Sequence, residues 1–392
     1  MRTSRLRLRK TVLREVSQIY EAVTIRLFPN KAQSRKLWEN AGAARWIWNW
    51  GLSLNNELYA REKRILSMYD MRREFIKMRN GSSHQWLKEI SQSASVNTLR
   101  DLDRAFKSFY SRLKSRLNGG YPKFKARESC VPAFYTRSER VYIDSEGCIY
   151  LEKIGHIRCK SKDNLRNVRF YNVRVKVEAG KWLMKCAVKT EDITQKMPLR
   201  NVNIGIDLGV KVLAVISCGG HKRVFRNINR SHRMRRLNRQ LKHHQRALSR
   251  KQKGSNNRLK ARRKVQKIHG RLRRIRHNYI HQTTRAIVNM RPKAIVLEDL
   301  NIAGMMKNKH LAKSIAEQNL YLFRKLLERK AVNAGIRVIY ADRFYPGSKT
   351  CSQCGHVKAR LLLSERVYEC HECGLVIDRD FNAARNLEKL AC

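Results

Sequence analysis

The chain has 392 residues, of which 86 are lysine or arginine and 31 are acidic, and its formal net charge is +55. A compact chain with that charge repels itself, so a polyanionic partner is expected, and charge spread along the whole chain favours nucleic acid. A membrane surface is the alternative, but it would need a basic amphipathic helix as its anchor. No stretch is apolar for long enough to span a bilayer, and the N-terminus lacks the apolar core of a signal peptide. We therefore expect a cytoplasmic, nucleoid-associated protein with no membrane partner.

The first half of the chain changes from strand to helix patterns and back. Residues 1–19 have the composition of a flexible basic arm, and YEAVTIRLFPN then alternates apolar and polar residues as a half-buried strand does. A helix follows in which Leu99, Leu102 and Phe106 recur at three- and four-residue steps. From about residue 140 to 190 the two-residue pattern predicts a hairpin in a mostly antiparallel, barrel-like sheet. The strand near residue 25 could belong to that sheet, which would make the helical segment an insertion.

The second half begins with two apolar runs, residues 201–217, which a tight turn joins as in a buried hairpin. Residues 231–280 then contain no acidic residue and break at a Gly-Ser-Asn-Asn sequence, so we expect two basic helices that form a hairpin. Uncompensated cations at helical spacing destabilise an isolated helix, and contact with phosphates offsets that repulsion. The candidate phosphate-binding residues are Arg235, Arg236, Arg273 and Arg274.

Acidic residues occur where apolar strands end and where the last helix begins. Asp207 lies within IGIDLGV, Glu298 follows AIVL, and VIDRDFNAAR contains Asp378 and Asp380. Each alone is a weak signal, because most acidic residues at such positions cap a helix or are solvated. Together they predict one convergent site, where carboxylates would bind Mg²⁺ or Mn²⁺ for phosphodiester hydrolysis.

An ATPase is a competing interpretation of the first of these motifs. IGIDLGV also resembles the first phosphate motif of actin-like ATPases, whose core fold is related to that of ribonuclease H. Such an ATPase would need a second DxG loop and a glycine-rich adenosine motif, and neither is found in the sequence. Binding of ATP would also leave the charge of +55 unexplained.

The cysteines form the most specific pattern in the chain. Two CxxC pairs, Cys351 with Cys354 and Cys370 with Cys373, have the spacing of a four-cysteine zinc ribbon. A glycine follows each pair, as a knuckle turn requires. A redox pair is the alternative, but two matched knuckles favour a structural zinc ion with a closed ligand set.

These motifs, taken in order, resemble the TnpB (OrfB) family of RNA-guided nucleases, which insertion sequences encode and to which the type V CRISPR nucleases are related. The resemblance extends from about residue 20 to 390. It includes FPNKAQSRKLWENAGAARWIWNWGL, LRDLDRAFKSFYSRLKSRLNGGYPKFK, GIDLGVK, VLEDLNI, SKTCSQCG, YECHECG and DRDFNAARN. The N-terminal arm is longer than is usual in the family, and Pro346-Gly347-Ser348 replaces the more usual paired serines.

The resemblance implies a multidomain α+β fold, in which a β-barrel wedge domain with a helical insertion precedes a ribonuclease H-like (RuvC) nuclease domain that contains a zinc ribbon. The implied segments are a basic arm (1–19), the wedge barrel in two parts (20–45 and 120–195), a helical recognition domain (46–119), a RuvC-like domain (196–350) with its basic hairpin (231–280), the zinc ribbon (351–375) and a final RuvC segment (376–392).

The function that this resemblance implies is that of an RNA-guided, Mg²⁺-dependent DNA endonuclease with Asp207, Glu298 and Asp380 as its catalytic acids. Its partners would be a guide RNA transcribed from the transposon end and double-stranded target DNA beside a short motif. A nuclease-inactive repressor is one alternative, although such relatives typically lose an acid. A strand-transfer transposase on the same core is another, although it needs no long guide-binding surface.

The position of the last helix decides between two neighbouring aspartates. We expect the helix to begin near Asp380, with Ala383, Ala384 and Leu387 facing inward and Arg385 and Asn386 outward. An aspartate at a helix N-terminus is also favoured simply by the cap and the dipole. The family motif selects Asp380 as the metal ligand, which leaves Asp378 to hold the turn or to pair with Arg379 or another nearby cation.

Overall fold

The computed structural model describes residues 19–128, 130–160, 165–190, 199–362 and 364–391. The expected basic arm lies, except for residue 19, outside these described residues. The chain divides into two compact units, Gln18–Glu191 for the first and Asp192–Cys392 for most of the second. Among the described residues, none of the helices combines the length and apolarity that crossing a bilayer requires.

The first unit consists of one sheet and three α-helices. Its helices are α1 (Lys31–Glu62), α2 (Met68–Asn80) and α3 (Gln92–Lys114). Its strands are β1 (Ile19–Phe28), β2 (Ala133–Tyr135), β3 (Tyr142–Ile143), β4 (Cys148–Leu151), β5 (Gly155–Lys160), β6 (Phe170–Glu178) and β7 (Lys181–Thr190). Because β1 pairs with both β5 and β7, the three helices are an insertion between strands of one sheet, as the sequence indicated.

The seven strands have the order β2-β6-β7-β1-β5-β4-β3, and neighbouring strands are antiparallel. The hairpin expected in this region is formed by β6 and β7, and its turn residues Ala179 and Gly180 have the positive φ angles of a two-residue hairpin turn. The hydrogen bonds of the described strands form a ladder with two ends instead of the closed barrel that we expected. The end strands β2 and β3 are only three and two residues long, which leaves little backbone to close a barrel.

The insertion helices pack partly on the sheet and partly on one another. Leu37 and Ala41 of α1 belong to the core of the sheet, whereas Ile47 and Leu52 of the same helix pack with α2 and α3. Helix α1 begins with a capping box between Asn30 and Gln33 and runs without a break past residue 45. The expected domain boundary at 45/46 therefore falls inside a single helix, because the apolar side chains of that helix pack in two adjoining hydrophobic cores.

The second unit contains a five-stranded sheet, a small two-stranded sheet and six α-helices among its described residues. The strands are β8 (Arg200–Leu208), β9 (Val212–Cys218), β10 (His221–Arg226), β11 (Pro292–Glu298), β12 (Arg337–Ala341), β13 (Val367–Glu369) and β14 (Val376–Asp378). The helices are α4 (His232–Ser249), α5 (Asn256–Val288), α6 (Ile302–Met305), α7 (Ala312–Gln318), α8 (Leu320–Asn333) and α9 (Arg379–Lys389).

The large sheet has the order β10-β9-β8-β11-β12, with antiparallel pairing among the first three strands and parallel pairing between β8, β11 and β12. Alternate residues of β11 pack on opposite faces of the large sheet. Ile295 and Leu297 pack in the core with Phe323 of α8, and Val296 packs on the other face with Leu387 of α9. Burial on both faces explains why this strand has an unbroken apolar sequence.

The basic segment forms the expected helical hairpin. Helices α4 and α5 pack through Met234, Leu237 and Leu272, and the break between them includes Gly254, whose φ is +84°. Helix α5 extends to Val288, eight residues beyond the expected end at residue 280, because Ile280 and Ile287 enter the core beneath the large sheet. The hairpin is therefore anchored by the buried end of one of its own helices.

The last helix lies directly against strand β8 at Gly205. A Cβ atom at this position would collide with the carbonyl oxygen of Ala384 and the amide nitrogen of Glu388. Glu388 also accepts hydrogen bonds from the hydroxyl of Ser217 and the amide of Gly219 at the end of β9. The absence of a side chain at Gly205 thus sets how closely α9 approaches the sheet.

We predict that Gly205→Ala destabilises the second unit by about 3 kcal/mol or more, because backbone atoms of α9 cannot move aside as a flexible side chain can. Chemical denaturation of the full chain would measure this effect. Gly42→Ala is the matched control, since a Cβ atom there meets no atom within 4 Å, and it should be neutral or stabilising by about 0.5–1 kcal/mol. Equal stability of Gly205→Ala and the unchanged chain would contradict this account of the close approach.

Candidate active site and metal centre

Two of the expected acids lie at the same edge of the large sheet. Asp207 is in the central strand β8, where it pairs with Val215 of β9. The parallel register of β8 and β11 pairs Ile206 with Leu297, so the next residues of the two strands are Asp207 and Glu298. Sequence order separates these carboxylates by a long segment, and the pairing of the two strands brings them to adjacent positions.

The third acid comes from the start of α9, which begins where the sequence predicted. The cap residue is Asp378, whose carboxylate accepts a hydrogen bond of 2.9 Å from the amide of Phe381. Helix α9 begins at Arg379 and Asp380 lies in its first turn, which confirms the expectation that the helix begins near Asp380. Asp378 also pairs with Lys222 at 3.1 Å, so it both caps the helix and pairs with a nearby cation, as expected.

The three acids lie within electrostatic range of one another. Burial raises the pKa of Asp207 well above its usual range, and the charges of Glu298 and Asp380 raise it further. Burial also raises the pKa of Glu298, and Asp380 adds to that shift. A carboxyl with a raised folded-state pKa stabilises the fold at low pH, and this stability is lost as the pH rises through that pKa. Without a cation, the ionised site therefore opposes folding.

Cations compensate the acids around this centre. Arg366 of the ribbon lies 3.9 Å from the carboxylate of Asp380, and Arg379 opposes the upward shift of the Asp207 pKa. Asp299, which follows Glu298, pairs with Arg324 and Arg343 at 3.5 and 3.0 Å. These two arginines pair with Asp299, whereas burial and the neighbouring carboxylates raise the pKa values of Asp207 and Glu298.

The donor set of this site suits a hard divalent cation. Carboxylate oxygens are the ligands that Mg²⁺ and Mn²⁺ prefer, and a cation would remove the repulsion that raises the two pKa values. Among the described residues, only the four cysteines have ligand atoms that all lie within 4.8 Å of one another. The carboxylate oxygens of Asp207, Glu298 and Asp380 are therefore not all within 4.8 Å of one another.

The four cysteines form the cluster that the sequence predicted. Cys351 and Cys373 have their Sγ atoms 3.6 Å apart, and those of Cys354 and Cys370 are 3.5 Å apart. A tetrahedral zinc ion with Zn–S distances of about 2.3 Å separates its sulfur ligands by about 3.8 Å. The cluster thus fits a structural metal ion such as zinc with all of its ligand positions filled by protein.

The two knuckles have the same backbone design. Gly355 and Gly374 have φ angles of +79° and +69°, and each donates its amide to the carbonyl of the first cysteine of its pair. These turns direct backbone N–H groups at the sulfur atoms. Burial opposes a charge on Cys351, but the amides of Cys354 and Gln353 outweigh burial and lower its pKa to about 6. The thiolate form that a metal requires is therefore favoured at this cysteine.

The first knuckle is attached to α9 by side chains that the sequence analysis did not identify. Asn382 accepts a hydrogen bond of 2.9 Å from the amide of Ser352 and donates one of 2.7 Å to the carbonyl of Thr350. Asn386 donates to the carbonyls of Gly347 and Thr350 at 2.8 and 2.6 Å. The expectation that Asn386 faces outward was wrong, because its side chain is buried and hydrogen-bonds to the first knuckle.

The signal that could have found this attachment is the spacing of the two asparagines. Asparagine is a poor helix former, yet two of them lie four residues apart on the face of α9 that also contains buried alanines. The other inward-facing residues, Ala383, Ala384 and Leu387, are buried as expected.

The four candidate phosphate-binding residues lie on the basic hairpin. Arg235 and Arg236 are exposed on α4, and Arg273 and Arg274 are exposed on α5. A neighbouring residue, Arg276, has a different environment, because it pairs with Glu317 at 3.2 Å and donates to Asn229 at 2.7 Å.

Three family models match the chain. The model described as a probable transposase matches residues 174–309, the Cas12f1-like TNB domain matches residues 321–387, and a helix-turn-helix domain matches residues 19–64. The last segment forms the strand β1 and the single helix α1 in this structure, with no turn between two helices.

Relatives align with nearly the whole chain. A putative RNA-guided DNA endonuclease of Streptomyces pristinaespiralis is 31% identical over 377 residues, which cover 95% of this chain and 89% of that protein. The putative RNA-guided DNA endonuclease InsQ of Escherichia coli K12 is 30% identical, with 94% of this chain and 91% of InsQ covered. The chain belongs to the TnpB (OrfB) family.

A solved structure has the same fold at a greater sequence distance. The Cas12f1 protein in a complex with guide RNA and target DNA has a TM-score of 0.55 and 15% identity, and the match covers 91% of this chain and 82% of that one. The fold is thus α+β with mixed sheets and a four-cysteine cluster.

We predict that the wild-type chain binds one zinc ion and that Cys370→Ser lowers the zinc content. Because the metal replaces a hydrophobic core in a ribbon of this size, its loss should also free α9 from the knuckle. Hydrogen–deuterium exchange of the segment Arg379–Lys389 should then become faster, and metal analysis would give the zinc content. Cys148→Ser is the control, since Cys148 lies in strand β4 of the other unit.

A second variant separates metal binding from the attachment of α9. Asn386→Ala removes two hydrogen bonds to the knuckle but no metal ligand, so it should retain zinc while exchange in the same segment accelerates. Unchanged exchange in both Cys370→Ser and Asn386→Ala would show that the ribbon does not hold the helix.

Proposed function

We propose that this chain is an RNA-guided, Mg²⁺-dependent DNA endonuclease encoded by a transposable element, and that it cleaves target DNA beside a short element-specific motif. The observation that supports this most strongly is the convergence of Asp207, Glu298 and Asp380 from three separate elements of one unit, in a family whose relatives are named putative RNA-guided DNA endonucleases. The charges of Glu298 and Asp380 both raise the pKa of Asp207, and this supports a common site for the three carboxylates.

In this proposal the three carboxylates are the metal ligands. Bound Mg²⁺ would supply an activated water and stabilise the leaving oxygen of the phosphodiester. The residues of the chain hold the ligands in place: β8 and β11 fix Asp207 and Glu298, and the capped first turn of α9 fixes Asp380. Asp378 caps the helix and pairs with Lys222, and we assign it no metal.

The remaining assignments follow the family. The sheet and helices of the first unit would be the wedge and recognition regions, and the large sheet with α9 would be the RuvC-like domain, with a zinc ribbon before its last helix. A guide RNA from the transposon end would select the target by base pairing, while the protein recognises the motif and the heteroduplex shape. An enzyme with this substrate would act in the cytoplasm, at the nucleoid.

The guide must be identified before cleavage can be tested. The protein is purified from its host, and the bound RNA is sequenced. Target DNA complementary to that RNA is then presented within a library of flanking sequences, and the cleaved members identify the motif. Joined products instead of cleaved ends would favour the strand-transfer transposase, and binding without cleavage would favour the repressor.

We predict that Asp207→Ala, Glu298→Ala and Asp380→Ala each lower the rate of cleavage by roughly three orders of magnitude or more, because the metal ions supply several kcal/mol of transition-state stabilisation. Binding of guide and target should remain nearly unchanged, since binding depends on the basic surfaces. Cleavage rates under single-turnover conditions and filter-binding measurements would test both statements.

Asp378→Ala is the matched control. It removes a helix cap worth about 1 kcal/mol and should retain substantial cleavage. If Asp378→Ala were inactive and Asp380→Ala active, the assignment of the third ligand would be wrong. If all four variants cleaved DNA with Mg²⁺, the nuclease proposal itself would fail.

We predict that the basic hairpin binds nucleic acid chiefly through phosphates. Replacing Arg235, Arg236, Arg273 and Arg274 with Gln should weaken binding for all sequences alike. The slope of log K against log salt should fall by about 0.9 for each lost contact with duplex phosphate. Titrations at several salt concentrations would measure the slope.

The control for this prediction removes cations from another helix. Lys325→Gln with Arg329→Gln changes two exposed residues of α8 and should reduce the slope less for each charge removed. If affinity collapsed in the four-residue variant while the slope stayed constant, these arginines would have a structural role instead.

A further inference from the structure

The loop that follows β12, near the candidate active site, has a strongly exposed aromatic ring. Phe344 is 88% exposed, the highest value among the large hydrophobic residues that the structure describes. It lies three residues after the end of β12, in a loop that extends to the ribbon. Exposed apolar residues are common on protein surfaces, so exposure alone assigns no role. The position of Phe344 and the way its loop is held are more informative.

The loop that presents Phe344 is fixed by hydrogen bonds. The amide of Phe344 donates to the carboxylate of Asp342 at 2.9 Å, and the amide of Tyr345 donates to the carbonyl of Asp342 at 3.0 Å. The guanidinium of Arg343 donates to the carboxylate of Asp299 at 3.0 Å. A backbone held in this way presents the ring at low cost in conformational entropy.

Both sides of this loop contact the surroundings of Glu298. Before Phe344, β12 runs parallel to β11 with Ala341 opposite Glu298, and Arg343 pairs with Asp299. After Phe344, Gly347 lies so near that a Cβ atom there would be 3.9 Å from the carboxylate of Glu298. The ring is therefore presented from a segment that contacts the carboxylate centre on either side.

We propose that Phe344 stacks on an unpaired base of the DNA strand that is cleaved at the carboxylate site. This inference rests on the proposed nuclease function, because a phosphodiester held at Asp207, Glu298 and Asp380 brings its bases close to the loop. Stacking on a ring requires a base whose face is not covered by a neighbouring pair, and it tolerates every base. The chain has a net charge of +55, which favours a polyanionic nucleic acid strand at this surface over a protein partner with few acidic residues.

Photo-crosslinking tests the contact without a guide and without cleavage. The full chain is irradiated with single-stranded DNA that contains 5-iododeoxyuridine, in buffer without added Mg²⁺, and the attached peptide is identified by mass spectrometry. We expect attachment at Phe344, with a lower total yield in Phe344→Leu and a retained yield in Phe344→Trp. Tyr321→Leu is the control, since Tyr321 is also exposed, on α8 of the same unit. An equal yield in Phe344→Leu and Tyr321→Leu, with no attachment at Phe344, overturns the proposal.

Cleavage kinetics test whether the contact acts during the reaction. With guide-matched target, Phe344→Ala should slow single-turnover cleavage by about 5- to 150-fold, the range for loss of one base–aromatic stack. An abasic site at one position near the cut should slow the wild type similarly and should add nothing in Phe344→Ala. Additive effects, or wild-type rates in Phe344→Ala, contradict the stacking role. If the wild type does not cleave at all, the proposed function fails, and the crosslink alone decides whether the ring binds bases.

Discussion

The contact between helix α9 and strand β8 at Gly205 determines the arrangement of the second unit. Only a residue without a side chain lets the helix backbone lie against the strand that contains Asp207. This contact brings the first turn of α9, with Asp380, into electrostatic range of Asp207 and Glu298. The same helix closes the second face of the large sheet through Leu387. Packing of the sheet and assembly of the carboxylate site therefore depend on one close approach.

The four-cysteine ribbon acts on the same helix from the other side. Its core is small, with Tyr368 as its one large, fully buried side chain among the described residues, and the cysteine cluster replaces the apolar content that it lacks. Strand β14 ends at Asp378, which caps α9, and Asn382 and Asn386 attach the helix to the first knuckle. The ribbon thus precedes the pair of aspartates in sequence because it fixes where the final helix begins.

Charge has opposite roles in the two parts of the second unit. The hairpin of α4 and α5 concentrates cations on exposed helix faces, and the carboxylate centre concentrates anions at the edge of a buried sheet. Each arrangement is unfavourable in isolation, because like charges repel. Phosphates would relieve the first and divalent cations the second. Phosphates and divalent cations are both needed for a reaction on nucleic acid. The basic hairpin would bind the first and the acidic site the second, which relates the basic composition of the chain to its acidic site.

The sequence by itself determined the elements whose signals are local. Alternation predicted the hairpin of β6 with β7, and two apolar runs joined by a tight turn predicted the hairpin of β8 with β9. Cysteine spacing predicted the metal cluster, and the acid-free segment predicted the hairpin of α4 and α5. The positions of Asp207 and Glu298 at the ends of apolar runs also identified them as candidate site residues. An acidic residue after an apolar run can be recognised in the sequence without knowledge of the fold. Each of these signals depends on residues a few positions apart.

Only the tertiary structure decided the features that depend on contacts between distant segments. The pairing of β8 with β11 put the first two acids side by side, and the attachment of Asn386 to the knuckle reversed its expected orientation. Helix α1 extends across the expected domain boundary at 45/46 because its two ends pack in different hydrophobic cores. The seven-stranded sheet of the first unit is not closed by hydrogen bonds among its described strands, because its end strands are short. The need for Gly205 was hidden for the same reason, since a glycine in a strand does not reveal which backbone will lie against it.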